Sequence, residues 1–184
     1  PVRRVDSIDR DGATVRVVAR YDCGGAEVRH EQVARRVVLP GGGTGVLVSE
    51  DVTVPEPLTD LPRVGVVLET AGAAATLGWF GSGPHESYPD RRAAARIGWY
   101  DAPADAWFTP YLRPQESGGR CAVSYLELSG GPGGLTLTLD GPRQVSVTRY
   151  RAIELAEATH ADELVPRPGH VVHIDAAHRG LGTA

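Results

Sequence analysis

Apolar and polar positions alternate most cleanly at residues 135–140, where Leu135, Leu137 and Leu139 fall on one side and Thr136, Thr138 and Asp140 on the other. A period of two residues sends these sets to opposite faces of an extended strand, one toward a core and one toward water. At residues 64–68 the alternation is only partial, as in a strand covered on both faces. Runs rich in β-branched residues at 14–18, 27–39, 45–54, 64–70, 145–150 and 170–174 have the length and composition of further strands. Helical signals are few. Pro89 and Asp90 followed by residues 91–96 predict one or two turns and residues 154–161 another, both too short to organise a fold.

The 23 glycines and 14 prolines lie in short clusters between these runs, which is the punctuation of many short strands. No internal repeat or second compositional regime interrupts the 184 residues. The pattern therefore predicts an all-β fold, one antiparallel β-sandwich spanning residues 1–184.

Composition narrows the functional classes. A hydrophobic content of 41% lets a chain of this length bury one substantial core. A net charge of −4, with no extended basic run, removes the electrostatic footprint that nucleic acid or an anionic membrane surface requires. No apolar stretch approaches the roughly 20 residues that span a bilayer. No signal peptide is visible, and a cytoplasmic location is expected. The chain starts at Pro1 and contains no methionine, which reads as a piece of a larger protein. Cys23 and Cys121 sit in no metal-ligand spacing. A disulfide and two free thiols both remain open, with buried free thiols the default.

Candidate chemistry concentrates at residues 79–120, which hold all three tryptophans, Trp79, Trp99 and Trp107. The first half reads WFGSGPHESYPDR and presents His85, Glu86, Tyr88, Asp90 and Arg91 close together after a probable strand. Three readings compete. Glu86 and Asp90 could form an acid/base pair. Trp79 and Tyr88 could stack on sugar rings while their neighbours bind hydroxyls. The favoured reading is structural: Glu86, Asp90 and Arg91 pair to pin a long loop while Trp79 and Tyr88 fill the core beneath. The six histidines show no HxH or HExxH spacing, and no nucleotide-binding or nucleophile-elbow motif is present, so no metal or nucleotide site is expected. At the far end HIDAAHRGLG, residues 173–182, leads from a strand into a glycine-rich exit that could line a cleft or form a plain surface turn.

WFGSGPHESYPDR, WYDAPADAWFTPYLRPQESGGRCAV, VTRYRAIELAEATHADEL and HIDAAHRGLG, in this order and spacing, resemble the C-terminal small-chain domain of bacterial β-galactosidases of glycoside hydrolase family two. The G-P-x-E-x-Y-P-D-R and T-P-Y-x-x-P-x-E-x-G-x-R-C blocks together are specific, and the resemblance covers essentially the whole chain. It implies a large antiparallel supersandwich like that of galactose mutarotase. It also implies a parent enzyme, a homo-oligomer, that hydrolyses terminal β-galactosides such as lactose with retention. The catalytic glutamates and magnesium ligands of that family sit in a separate TIM-barrel domain, so the resemblance implies no catalytic residue, metal or cofactor in this chain. Its nearest approach to the galactoside is expected at His178, Arg179, Gly180 and Gly182. Trp79, His85, Glu86, Tyr88, Asp90 and Arg91 are expected to face either sugar or barrel. A freestanding galactoside-binding module is the alternative. A mutarotase-like epimerase is a third reading, weakened because His85 and Glu86, adjacent in sequence, point oppositely if extended.

Overall fold

A computed structural model describes residues 2–56, 58, 60–132 and 134–180. The chain is built almost entirely of antiparallel strands and divides into two compact units, Pro1–Asp60 and Leu61–Ala184.

The first unit is a four-stranded meander of β1 (Val2–Asp11), β2 (Thr14–Asp22), β3 (Glu27–Val38) and β4 (Thr44–Thr53), in that spatial order. Register gives its faces opposite characters. Val17 pairs with Ile8 and Gln32, and Ala34 with Val15 and Val48, which collects valines on one side. On the same side Glu50 accepts from Gln32 Nε2 at 2.6 Å and bonds His30, so the polar groups there are matched. The other face carries ion pairs, Arg16 to Glu31 at 2.6 Å and Arg20 to Asp6 at 2.5 Å, solvent-screened and individually weak.

The second unit orders six strands as β5-β10-β9-β8-β6-β7. They are β5 (Arg63–Glu69), β6 (Thr76–Gly83), β7 (Arg96–Pro103), β8 (Arg120–Ser129), β9 (Leu135–Thr148) and β10 (Val171–His178). A short helix α1 (Ala152–Glu157) and single turns at Ala104–Trp107 and Ala161–Glu163 fill the connections. The core collects on one face, where Leu77, Trp79, Leu126, Leu128, Val145 and Val172 are buried. The leucines at 135, 137 and 139 pack against that core while Thr136, Thr138 and Asp140 are exposed, as their alternation requires. The opposite face carries Ser146, Thr148, His173 and Asp175, and those polar groups shape the site described below.

Three elements differ from expectation. The two runs at 135–139 and 145–150 are one long strand that passes through Gly141 and Pro142. Pro142 lacks an N–H, and the ladder with β8 skips it, moving from Val123 opposite Arg143 to Tyr125 opposite Thr138. The helix expected at residues 91–96 is absent. Tyr88 and Arg91 exchange backbone bonds of 3.0 and 2.9 Å around Pro89 and Asp90, closing a tight turn instead, and β7 begins at Arg96. β1, β6, β7 and β8 lie outside the β-branched runs because charge in β1 and glycine or short polar residues in the others dilute the pattern. Both cysteines are free, Cys121 buried and Cys23 half-buried.

Leu126 sits at the centre of the core face, so Leu126→Ala should cost about 2–5 kcal/mol. Thr138→Ala on the outer face should change stability by no more than about 0.5 kcal/mol. Urea unfolding of the two variants checks this, and equal losses would show that the core does not lie on the Leu126 face.

Candidate functional site

Glu86 is the anchor of the segment after β6. Its carboxylate, 8% exposed, accepts from Arg91 Nη1 at 2.7 Å, the Gly118 N–H at 3.0 Å, Thr109 Oγ1 at 3.4 Å and the Tyr111 hydroxyl. Burial alone would raise this carboxyl, but the Tyr111, Gly118 and Arg91 donors outweigh it and hold it below the usual carboxylate range. Tyr88 is fully buried and accepts the Gly119 N–H at 2.9 Å, and burial pushes its phenol well above its ordinary value. Gly119 admits no side chain, since a Cβ would lie 2.4 Å from Gln144 Nε2 and 2.6 Å from the Tyr88 ring.

Beneath this knot lies Arg120, 4% exposed, its guanidinium 4.8 Å from the Trp107 ring centroid and 5.5 Å from that of Trp79. Its Nη1 donates to the carbonyls of Gly118 and Gly119, at 3.0 and 3.2 Å. Burial draws this guanidinium down to about 10, still charged at neutral pH, with the two aromatic faces supplying stabilisation that water would otherwise give.

The residues expected to face sugar therefore divide. Trp79 is 1% exposed, stacked on Tyr100 at 5.3 Å and edge-on to Trp107 at 4.9 Å, which closes its indole to any ligand. Glu86 and Asp90 do not form an acid/base pair, because Glu86 is saturated with donors and held ionised. Asp90 lies instead against Gly180, where a Cβ would sit 2.4 Å from its Oδ1. Arg91 serves Glu86, and His85 is exposed. Trp99 alone of the tryptophans is exposed, at 68%, and its neighbours Phe80 and Tyr125 are tilted 51° and 63° from it, so the three rings make no flat platform.

A second cluster gathers on the polar face of the sheet around Arg63, the first residue of β5. Arg63 donates from Nε to Asp175 at 3.0 Å, from Nη2 to Glu116, and from Nη1 to His173 Nδ1 at 3.3 Å. Glu116 also receives His178 Nε2 at 3.2 Å, and His178 Nδ1 accepts the Gly180 N–H at 3.0 Å. That acceptor role assigns the His178 proton to Nε2. His173 and Asp175 share a face because they are two apart on β10; His178 would point away but for one extra residue between Asp175 and Ala177 in the pairing with β5. The bulge returns it to the same cluster, with its ring 5.7 Å from that of Tyr88.

Burial lowers His173 to about 4 and raises Asp175 to about 6, against the opposing pull of Arg63 on the carboxylate. For Glu116, burial is outweighed by His178 and Arg63, and its carboxyl lies below the usual range. Of these two groups Asp175 takes up a proton first as pH falls. Beside it opens a cavity of about 390 Å³ between β9, β10, α1 and the 113–117 segment.

Of the exit residues, His178 and Gly180 are tied into this cluster, and the Arg179 N–H donates to Pro62 at 3.0 Å. Gly182 lies outside the described residues. Arg63, Glu116, His173 and Asp175 were absent from the expected site. A signal existed for two of them: a polar residue at alternate positions of an otherwise apolar strand, His173 and Asp175, marks a polar face. Among the described residues no group of three or more His, Cys, Asp or Glu could hold a metal ion.

A family model described as beta galactosidase small chain matches residues 12–184. The chain is 37% identical over 141 residues to a beta-galactosidase of Vibrio cholerae serotype O1, covering 77% of this chain and 13% of that protein. It is 35% identical over 139 residues to one from Vibrio vulnificus, covering 74% of this chain, and 34% identical over 137 residues to one from Psychromonas ingrahamii. It spans about 13% of the length of these relatives.

The high-lying Asp175 carboxyl gives a pH signature. Its folded value is about 6, against roughly 3.9 in an unfolded chain. Between those values the folded protein holds a proton that the unfolded chain has released, so this contribution is present at pH 4.5 and lost as pH rises through 6. Asp175→Asn lacks it. The stability of the unsubstituted protein relative to Asp175→Asn should therefore fall by on the order of 2 kcal/mol between pH 4.5 and 7 in urea unfolding. Parallel pH profiles would show that Asp175 is not the proton acceptor.

Proposed function

Because the chain belongs to the β-galactosidase small-chain family, we propose that it is an accessory, noncatalytic domain of a β-galactosidase, helping to form the substrate pocket and the assembly of the parent enzyme. The carrying observation is a family match along residues 12–184 in a chain that spans about 13% of its relatives. In this reading the parent hydrolyses terminal β-D-galactosides such as lactose with retention, in the cytoplasm, as a homo-oligomer. The catalytic glutamates and magnesium ligands belong to a TIM-barrel domain elsewhere in that parent.

The chemistry of this chain supports an accessory role. Retaining hydrolysis needs one carboxyl to protonate the leaving group and a second, about 5–5.5 Å away, to attack the sugar. Glu86 and Glu116 are each occupied by internal donors and held ionised, which suits neither of them to act as the acid.

What the chain can contribute is a fixed exit from β10. Glu116 holds Nε2 of His178, whose Nδ1 takes the Gly180 N–H, and Gly180 in turn packs on Asp90 with φ +113°, a backbone region that excludes most side chains. These bonds fix the backbone as far as Gly180. A freestanding galactoside-binding module finds less support, since Trp79 and Trp107 are buried and the rings around Trp99 are splayed.

Full-length protein should hydrolyse lactose and a nitrophenyl galactoside, and the 184-residue chain alone should not. His178→Ala in the full-length protein frees the exit turn and should lower kcat/KM about ten- to hundredfold, the scale of a small misplacement at a reacting centre. Turnover by the chain alone would overturn the noncatalytic reading, and unchanged kcat/KM in His178→Ala would remove the exit turn from the pocket.

A further inference from the structure

The cavity beside the Arg63 cluster has a floor that the accessory role does not use. Ser146 of β9 and His173 of β10 are direct cross-strand partners, 2% and 7% exposed, and both line the cavity. Partners in an antiparallel pair stand about 5 Å apart at Cβ, so their polar ends reach the same small volume. Arg63 can only donate, which makes His173 Nδ1 an acceptor and places the proton of the neutral ring on Nε2. Among the described residues neither that Nε2–H nor the Ser146 hydroxyl has a hydrogen-bond partner. Two residues on, Thr148 Oγ1 accepts the Tyr150 N–H at 3.0 Å and keeps its own hydroxyl proton to give. Polar groups buried to this degree are ordinarily satisfied, and these face open space.

We propose that this cavity binds a neutral polyhydroxylated molecule of monosaccharide size. At about 390 Å³ it lies in the range of small-molecule pockets, about 300–1,000 Å³. A ligand hydroxyl accepts from His173 Nε2 and donates to Ser146 Oγ, and a neighbouring hydroxyl receives the Thr148 proton. The facing wall is apolar: Leu155 of α1 and the Tyr150 ring, braced by Phe108 at 5.1 Å, suit the C–H faces of a sugar ring. Charge argues against an anion at the floor. The one cation there, Arg63, already engages Asp175 and Glu116. Arg113, exposed, is the other cation that lines the cavity. Of the groups assigned to the β10 exit turn only Glu116 borders the cavity, and none of them makes the proposed ligand contacts, so the site does not rest on the galactosidase reading.

The test is calorimetric titration of the full-length protein with D-glucose and D-galactose, comparing unsubstituted protein with Ala156→Trp. Ala156 lines the cavity from the exposed side of α1, so an indole there fills it without entering the core. Ser146→Val is the second variant, Leu112→Ala is an exposed control outside the cavity, and thermal melts establish that each is folded. The expected result is a binding event weakened at least tenfold in both cavity variants and unchanged in the control. Identical isotherms for the unsubstituted protein and Ala156→Trp would overturn the proposal. So would binding of glucose 6-phosphate without glucose, which would make Arg113 the recognising group.

Discussion

One guanidinium holds the polar half of the second unit together. Arg63 opens β5 and reaches Asp175 and His173 on β10, 112 and 110 residues away in sequence, and Glu116 in the 113–117 segment, 53 residues away. Removing a charge from water is expensive, and a buried pair repays that cost only when its geometry and remaining hydrogen bonds are nearly complete. The arrangement meets the condition unevenly. Each guanidinium nitrogen of Arg63 makes one bond, yet Asp175 Oδ1 is buried with no partner among the described residues. Burial raises the carboxyl of Asp175, and an oxygen without a donor leaves that rise only partly opposed by Arg63. Burial and then Arg63 keep the His173 ring neutral, and the same cation reaches His178 only through Glu116, which bonds both.

Glu86 and Arg63 solve the same problem in opposite ways. Glu86 is an anion satisfied by donors from four residues, which pins residues 108–119 against the end of β6. Arg120, nearby, is a cation with no carboxylate partner, held by aromatic faces and carbonyl oxygens. Both are structural uses of charge. They account for the density of Trp, Tyr, Gly and Pro in this stretch without invoking catalysis, and they carry the segment that closes one wall of the cavity.

The all-β class, the antiparallel pairing and the inward face of β9 were legible because a period of two in apolar residues has one physical meaning. The structural reading of Glu86, Arg91 and Tyr88 was legible for a similar reason, since charges beside buried aromatics must pair. The Arg63 cluster was harder to see. Its members are spread across β5, the 113–117 segment and β10, and no local spacing brings them together. His178 joins them only through a bulge, which shifts the alternation by one residue and leaves no mark in composition. Trp79 follows the favoured reading of its segment and not the sugar-facing one: the sheet order places its indole over the centre of the core.

β5 and β10 are antiparallel neighbours, with Arg63 directly opposite His178, although more than a hundred residues separate them in sequence. Local hairpins alone cannot assemble this sheet: β10 must insert between β5 and β9, so the Arg63 cluster forms only when a long loop has closed, and its arrival should be a late event in folding.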